Sequence, residues 1–386
     1  MKKMGIQGLL AEWIFNFLSD RKQIILANGV ASLPSDVTSG VPQGTVLGPL
    51  LFLILINDIC QSDINSIISL FADDTRITKV IQNFSDVEDF QKDLDKIYQW
   101  SKENNMVFNA TKFEVLKHGK NEELKNEYEY LTPDCENLIE RKDALRDHGI
   151  IMNEHANFDD HINKVCSTVT QKVGWILRTF KTRKVEFMKL MWKQLVQGHV
   201  DYCSQLWQPL QSTSLQRLEN LFKTFSKKIP CLRNESYWNR LKILKMSSQQ
   251  RRLERYRIIY TWKALEGLVP DCGMILGNSQ ESRNGRECKV PTIAKKSSAR
   301  VETLREQSLQ VHGAKLFNCI PQTIRNMTKC DVDTFKQKLD LFLSKIPDQP
   351  LFREAIPTTT DQHTLKPSNS LIDQVREYQR RMRPGA

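Results

Sequence analysis

Residues 67–78 read Ile67-Ile68-Ser69-Leu70-Phe71-Ala72-Asp73-Asp74-Thr75-Arg76-Ile77-Thr78, two short runs of strand-forming residues meeting at an aspartate pair. β-Branched and aromatic side chains favour strands and Asp favours turns, so the stretch predicts a β-hairpin with Asp73 and Asp74 at its turn. Such a turn holds both carboxylates clear of the sheet. Hard oxygen donors suit Mg²⁺ (or Mn²⁺), and Mg²⁺ commonly takes one or two carboxylates, several waters and substrate phosphates. An Asp-Asp pair in a surface turn is often only solvated, so context decides the reading.

That context lies upstream, where Ser39-Gly40-Val41-Pro42-Gln43-Gly44-Thr45 leads into an apolar run from Leu47 to Ile56. Glycines allow close backbone approach to a ligand, and a helix N-terminus favours phosphate or polar nucleotide groups. Taken together, the Gly-Val-Pro-Gln-Gly loop before an apolar helix and the Phe-Ala-Asp-Asp hairpin resemble motifs B and C of reverse transcriptases of the non-LTR, LINE-type branch. The resemblance implies an α+β fold: a truncated polymerase palm, an antiparallel sheet with packed helices, followed by a mainly helical thumb and C-terminal region.

On that resemblance Asp73 is the metal-binding carboxylate of motif C and Asp74 its supporting neighbour. Gln43, Gly44 and Phe71 lie beside the templating base and incoming nucleotide. Lys112, in Asn109-Ala110-Thr111-Lys112, matches the motif D lysine, which acts as a general acid toward pyrophosphate or balances its charge; a solvated turn residue is the alternative. The implied cofactor is Mg²⁺ or Mn²⁺, and the implied partners are an RNA template, an RNA–DNA or DNA duplex and dNTPs. Two-metal nucleotidyl transfer needs a further carboxylate, which the family places in motif A. The acidic residues before Asp73 are Glu12, Asp20, Asp36, Asp58 and Asp63, none in a motif A context. The expectation is therefore a C-terminal part lacking the fingers and motif A, weakly active or inactive alone. A non-catalytic RNA- or DNA-binding protein derived from a retroelement is the alternative.

Around these motifs, apolar spacing predicts a helix over Ile6–Leu18, and Asn28-Gly29 predicts a hairpin turn between Gln23–Ala27 and a strand near Asp36–Ser39. The run Leu47–Ile56 is too short to cross a bilayer and reads as a core helix. Residues 85–104 predict an amphipathic helix with Ser85 and Glu88 as a capping box and Val87, Phe90, Leu94, Ile97 and Trp100 on its buried face. Strands are expected near Met106–Asn109 and Glu114–Lys117. On the resemblance, residues 1–120 are expected to be the partial palm, 121–155 its end and the junction, 156–268 a basic helical thumb, 269–357 a loop and small helical unit, and 358–386 a mostly disordered tail with a short helix near Leu371–Met382.

The chain carries a net charge of +11, but residues 172–263 hold 20 Lys and Arg against 5 Asp and Glu, so the excess is regional. A basic helical region beside a polymerase-like segment is the electrostatic footprint of a nucleic-acid duplex held through its phosphates. Two clusters stand out as candidates: Arg178, Lys181, Arg183 and Lys184, and Arg251, Arg252, Arg255 and Arg257. Their alternative is a solvated face. Nine cysteines without a Cys-x-x-Cys pair suggest free thiols in a reducing compartment. With no secretory pattern or bilayer-length apolar run, the expectation is an intracellular protein of the cytoplasm or nucleus, not membrane-bound. His161 and His199 lack metal partners at useful spacing and read as packing or hydrogen-bonding residues.

Overall fold

The computed structural model describes residues 5–119, 121–126, 128–132, 138–207, 209, 212–277, 285–292, 299–349 and 370–382. Its contacts divide the chain into two compact units, Met1–Asp143 and Ala144–Ala386.

The first unit opens with α1 (Gly8–Leu18) and two nested antiparallel pairs. β2 (Leu26–Ala27) pairs with β3 (Val30–Ala31), inside β1 (Lys22–Gln23) paired with β4 (Ser35–Asp36). Asn28 and Gly29, at φ +52° and +80°, supply the two left-handed residues that a type I′ turn requires. Next come α2 (Leu47–Ile56), a 3₁₀ turn over Asn57–Gln61, β5 (Ile67–Phe71), β6 (Asp74–Thr78) and α3 (Phe84–Glu103). β7 (Glu114–Val115), α4 (Glu122–Asn126) and β8 (Glu140–Arg141) close the unit, with β7 and β8 pairing in parallel.

Three local expectations are corrected here. The cap of α3 is Asn83 with Asp86, each side chain bonding the other's backbone N–H, and not Ser85 with Glu88. Asn83 adopts the extended backbone that a cap residue needs. Residues 106–109 form no strand, and Lys112 lies at the end of a 3₁₀ turn (Ala110–Lys112). The helix α2 buries Gly48, Leu51 and Ile56 but leaves Leu50, Leu53 and Leu55 exposed, because the first unit covers only one side of a helix that is apolar all round.

The second unit starts with a hairpin of β9 (Ala144–Asp147) and β10 (Ile150–Asn153), turned by His148 and Gly149 at φ +45° and +84°. Helices follow: α5 (Asp159–Thr179), α6 (Val185–Met191), a π-helical segment Trp192–Val196, α7 (Gln197–Asp201), α8 (Ser212–Ser226), α9 (Tyr237–Leu244) and α10 (Gln249–Leu265). The unit ends with α11 (Ala299–Gln307), a second π-helical segment Leu309–Gly313, α12 (Ala314–Cys319), α13 (Gln322–Arg325), α14 (Val332–Leu343) and α15 (Leu371–Met382). Two apolar clusters fill it. One centres on Trp192, whose ring lies 4.7 Å from Phe222 and 5.1 Å from Phe225. The other centres on Trp262 stacked on Phe335 at 4.4 Å. Residues 278–284 and 293–298 of the expected loop, and 358–369 of the expected tail, lie outside the described residues. The expected terminal helix is α15.

The helix α10 is the hub of the second unit, and its charged residues do the joining. Glu219, from α8, accepts the Tyr237 hydroxyl and the N–H groups of Gln249 and Gln250 at the α10 N-terminus. Glu254 accepts the Leu371 N–H that opens α15, at 3.0 Å. Both carboxyls are fully enclosed, and burial pushes each up to about 7 against the hydrogen bonds that favour the anion.

Candidate functional site

The hairpin β5–β6 pairs Phe71 with Asp74, Ser69 with Arg76 and Ile67 with Thr78. Alternation along a strand sends Ile68, Leu70 and Ile77 inward, where they join Phe52 and Ile56 of α2 and Ile97 and Trp100 of α3. The opposite face, with Phe71 and Asp74 side by side, is open to solvent, and Phe71 is 69% exposed. Ala72 and Asp73 make the two-residue turn. Ala72 has φ +53°, a left-handed conformation that a Cβ disfavours, so backbone strain sits at the tip of this turn. The Asp73 carboxylate is exposed and has no hydrogen bond or ion pair among the described residues. Its oxygens are open to a ligand.

A buried carboxylate steadies the base of the hairpin. Asp93, 2% exposed on α3, accepts the Ser66 hydroxyl at 2.5 Å and the Asn65 N–H at 3.2 Å, and its other partner is the Lys79 ammonium at 3.6 Å. The chain entering β5 and the chain leaving β6 are thus tied to one helix. Asp93 was not among the expected site residues. Its signal is its position, three residues after Phe90 and four before Ile97 on the apolar stripe of α3, where a carboxylate needs partners.

Gln43 and Gly44 are exposed in the segment that precedes α2, with Gly40 and Gly44 at φ +78° and +80°. Thr45 organises the turn: its hydroxyl donates to the Pro42 carbonyl at 2.8 Å and accepts the Gly48 N–H at 3.1 Å. Gly48 is required by close approach, since a Cβ there would stand 2.6 Å from the Pro42 carbonyl oxygen. Arg21 holds the same loop from the α1 side, donating to the Leu18, Ser39 and Gly40 carbonyls. Lys112 is exposed between Phe108 and Phe113, whose rings meet edge to face at 5.9 Å and pack beside Ile77. Its ammonium has no partner among the described residues. No group of three or more His, Cys, Asp or Glu side chains is placed to hold a metal ion among the described residues. Mg²⁺ is commonly held by one or two carboxylates together with phosphates and water, so the exposed Asp73 carboxylate does not by itself make a closed metal site.

The two basic clusters have different surroundings. Arg178, Lys181 and Lys184 are exposed where α5 gives way to α6, while Arg183 is drawn inward, donating to the Leu177 carbonyl at 2.6 Å and to the Phe180 carbonyl. In the cluster on α10 every guanidinium is engaged by the protein, with Arg251 and Arg257 buried and Arg252 and Arg255 half-buried. Arg251, 2% exposed, donates to the Leu343, Ile346 and Pro347 carbonyls at and just beyond the C-terminus of α14. Arg257, 1% exposed, reaches the Gln307 carbonyl at 2.7 Å and His312. Arg252 pairs with Asp201 at 2.5 Å and Arg255 with Asp340 at 2.7 Å. These four guanidinium groups hold helices together, which removes Arg251 and Arg257 from any surface that a phosphate could reach.

No helix among the described residues is long and apolar enough to cross a membrane. Residues 1–133 match the family model described as reverse transcriptase (RNA-dependent DNA polymerase). The chain is 24% identical over 212 residues to the probable RNA-directed DNA polymerase from transposon X-element of Drosophila melanogaster, a match covering 53% of this chain and 23% of that protein. It is 26% identical over 181 residues to the RNA-directed DNA polymerase from mobile element jockey of the same species, covering 42% of this chain and 18% of the relative. The jockey polymerase of Drosophila funebris is 24% identical over 237 residues, covering 57% and 25%. The chain thus spans a quarter or less of the length of these curated relatives. No solved structure gives a significant match.

Proposed function

We propose, from the similarity of residues 1–133 to the reverse transcriptase family model and of the chain to the X-element and jockey polymerases, that it takes part in RNA-templated DNA synthesis by two-metal nucleotidyl transfer. The observation that carries the proposal is the exposed Asp73 carboxylate, at a strained hairpin tip and without a protein partner among the described residues. Asp73 and Asp74 would hold Mg²⁺ or Mn²⁺, which when bound activates the primer hydroxyl and neutralises charge on the triphosphate. Asp93 and Lys79 keep the hairpin seated on α3 so that the carboxylates meet substrate in a fixed position. In this reading residues 1–120 are palm, the basic helices after residue 156 are thumb, Gln43, Gly44 and Phe71 face the template base and nucleotide, and Lys112 balances pyrophosphate charge. The duplex lies against Arg178, Lys181 and Lys184.

The test combines a metal readout with an activity readout. Paramagnetic Mn²⁺ should broaden the NMR signals of Ala72–Thr75 selectively, and Asp73→Asn with Asp74→Asn should abolish that broadening. Primer extension on an RNA template should be non-processive, because no third carboxylate joins the pair among the described residues, and Asp73→Asn should remove it. Extension that survives Asp73→Asn, or broadening centred elsewhere, overturns the assignment.

A further inference from the structure

The second unit contains a cavity of about 400 Å³ that the nucleotidyl-transfer reading does not use. Three elements wall it. The β9–β10 hairpin brings Arg146 and Gly149, one face of α5 brings His161, Lys164 and Val165, and the π-helical segment with α7 brings Leu195 and His199. A π turn widens a helix by one residue and commonly marks a functional position. Here it faces the cavity.

Two features point to a ligand. Arg146 and Lys164 stand exposed at the rim without a carboxylate partner among the described residues, and no Asp or Glu lines the cavity. At its floor His161 is 5% exposed, packed edge to face on Trp207 at 5.1 Å, and neither of its ring nitrogens has a hydrogen-bond partner among the described residues. Buried polar atoms are nearly always satisfied, so an unpartnered imidazole facing a cavity calls for a group to bind it. Burial holds this ring below the usual histidine range, leaving it neutral with one N–H donor and one lone pair. His199 at the rim is also lowered, by burial and by the neighbouring Lys172, so the anion-attracting charge comes from Arg146 and Lys164.

We propose that this cavity is a nucleotide-binding site, taking one phosphorylated nucleotide with its phosphate between Arg146 and Lys164 and its base on Val165 and Leu195, hydrogen-bonded to His161. The size supports a single nucleotide: ligand pockets run from about 300 to 1,000 Å³, and this one is near the lower end. A duplex does not fit. The phosphate half of the assignment stands on the lining alone, and the base half rests on the nucleic-acid role proposed above.

The full chain, labelled at its histidine rings, is titrated with adenosine 5′-monophosphate, ribose 5-phosphate and adenosine, followed by calorimetry and by ring NMR. The nucleotide should bind and shift the His161 ring signals. Arg146→Glu with Lys164→Glu should weaken binding about ten- to a hundredfold, the worth of one or two charge-assisted hydrogen bonds, while circular dichroism stays unchanged. His161→Phe keeps the ring packed on Trp207 and should reduce the nucleotide to the affinity of ribose 5-phosphate. No heat and no ring shift up to about 1 mM nucleotide, the top of the usual range for substrate sites, overturns the site. Equal affinity for nucleotide and sugar phosphate in the wild type overturns the base assignment. Duplex binding through Arg178, Lys181 and Lys184 is measured separately, so loss of the cavity leaves that reading standing, and loss of duplex binding leaves the phosphate half of the cavity assignment standing.

Discussion

Replacing Arg178, Lys181 and Lys184 together by Gln should change how nucleic-acid affinity responds to salt. All three side chains are exposed at the α5–α6 junction, so each is free to neutralise a phosphate and release its condensed counterion. Each such contact contributes about 0.9 to the slope of log affinity against log salt on duplex DNA, so three contribute about 2.7. Over a fourfold change in salt that slope is about a fortyfold difference in affinity. Arg183 is left in place because its guanidinium is tied to the Leu177 and Phe180 carbonyls. The control is Arg252→Gln with Arg255→Gln, whose partners are Asp201 and Asp340. This control should leave the slope unchanged and lower stability by about 1 kcal/mol for each ion pair lost, both pairs being partly open to solvent. The assay is fluorescence anisotropy of a labelled RNA–DNA duplex across a potassium chloride series, with a second duplex sequence to show that base identity has little effect. An unchanged slope in the triple variant, or an equal fall in the control, refutes the placement of the duplex on this surface.

Two predictions concern stability. Glu219 and Glu254 are held up to about 7 against an ordinary 4.5, so the folded chain keeps protons that the unfolded chain releases. Their contribution is complete below about pH 4.5 and is lost as pH rises through 7, about 3 kcal/mol for each carboxyl. Glu219→Gln retains an oxygen for the Gln249 and Gln250 N–H groups, so urea midpoints from pH 5 to 8 should show wild type losing more stability than the variant; parallel curves would refute the raised carboxyl. His312, lowered to about 4 mainly by burial and then by Arg257, has the opposite sign and cancels in that difference. Gly48→Ala places a Cβ 2.6 Å from the Pro42 carbonyl and should cost about 1–3 kcal/mol as the loop shifts. An unchanged thermal midpoint would show that the segment before α2 yields without cost.

Local chemistry made the hairpins legible. Alternating strand formers around Asp73 and Asp74 specify β5 and β6 and their turn, and Asn28-Gly29 specifies the left-handed turn between β2 and β3. The stripe Val87, Leu94, Ile97 and Trp100 likewise announces the buried face of α3. Misreadings arose where two local signals compete. Asn83 and Ser85 are both good cap residues two positions apart, and the choice fell to Asn83 because Asp86 can answer its backbone N–H. Residues 106–109 carry apolar side chains suited to a strand, but Phe108 packs in the α2–α3 cluster without a neighbouring strand to bond.

The basic helix α10 shows why charge alone does not disclose a binding face. Its four arginines read as a phosphate-contacting row, yet the partners that consume them are distant in sequence: Leu343 to Pro347 for Arg251, Asp201 for Arg252, Asp340 for Arg255, and Gln307 with His312 for Arg257. A guanidinium has five N–H donors and stays charged, so it can close the carbonyl ends of several helices at once, a use that looks the same in composition as a docking surface. Periodicity cannot separate the two, because the arginines of α10 fall on all sides of the helix. Separation comes from what surrounds the helix. Glu219 caps α10 and Glu254 caps α15 from inside the unit, and no residue of α10 is fully exposed. The junction at Arg178, Lys181 and Lys184 lies instead where α5 stops and α6 has not begun. Among the described residues backbone carbonyls there claim only Arg183, and the side chains of Arg178, Lys181 and Lys184 face water, which a phosphate can displace.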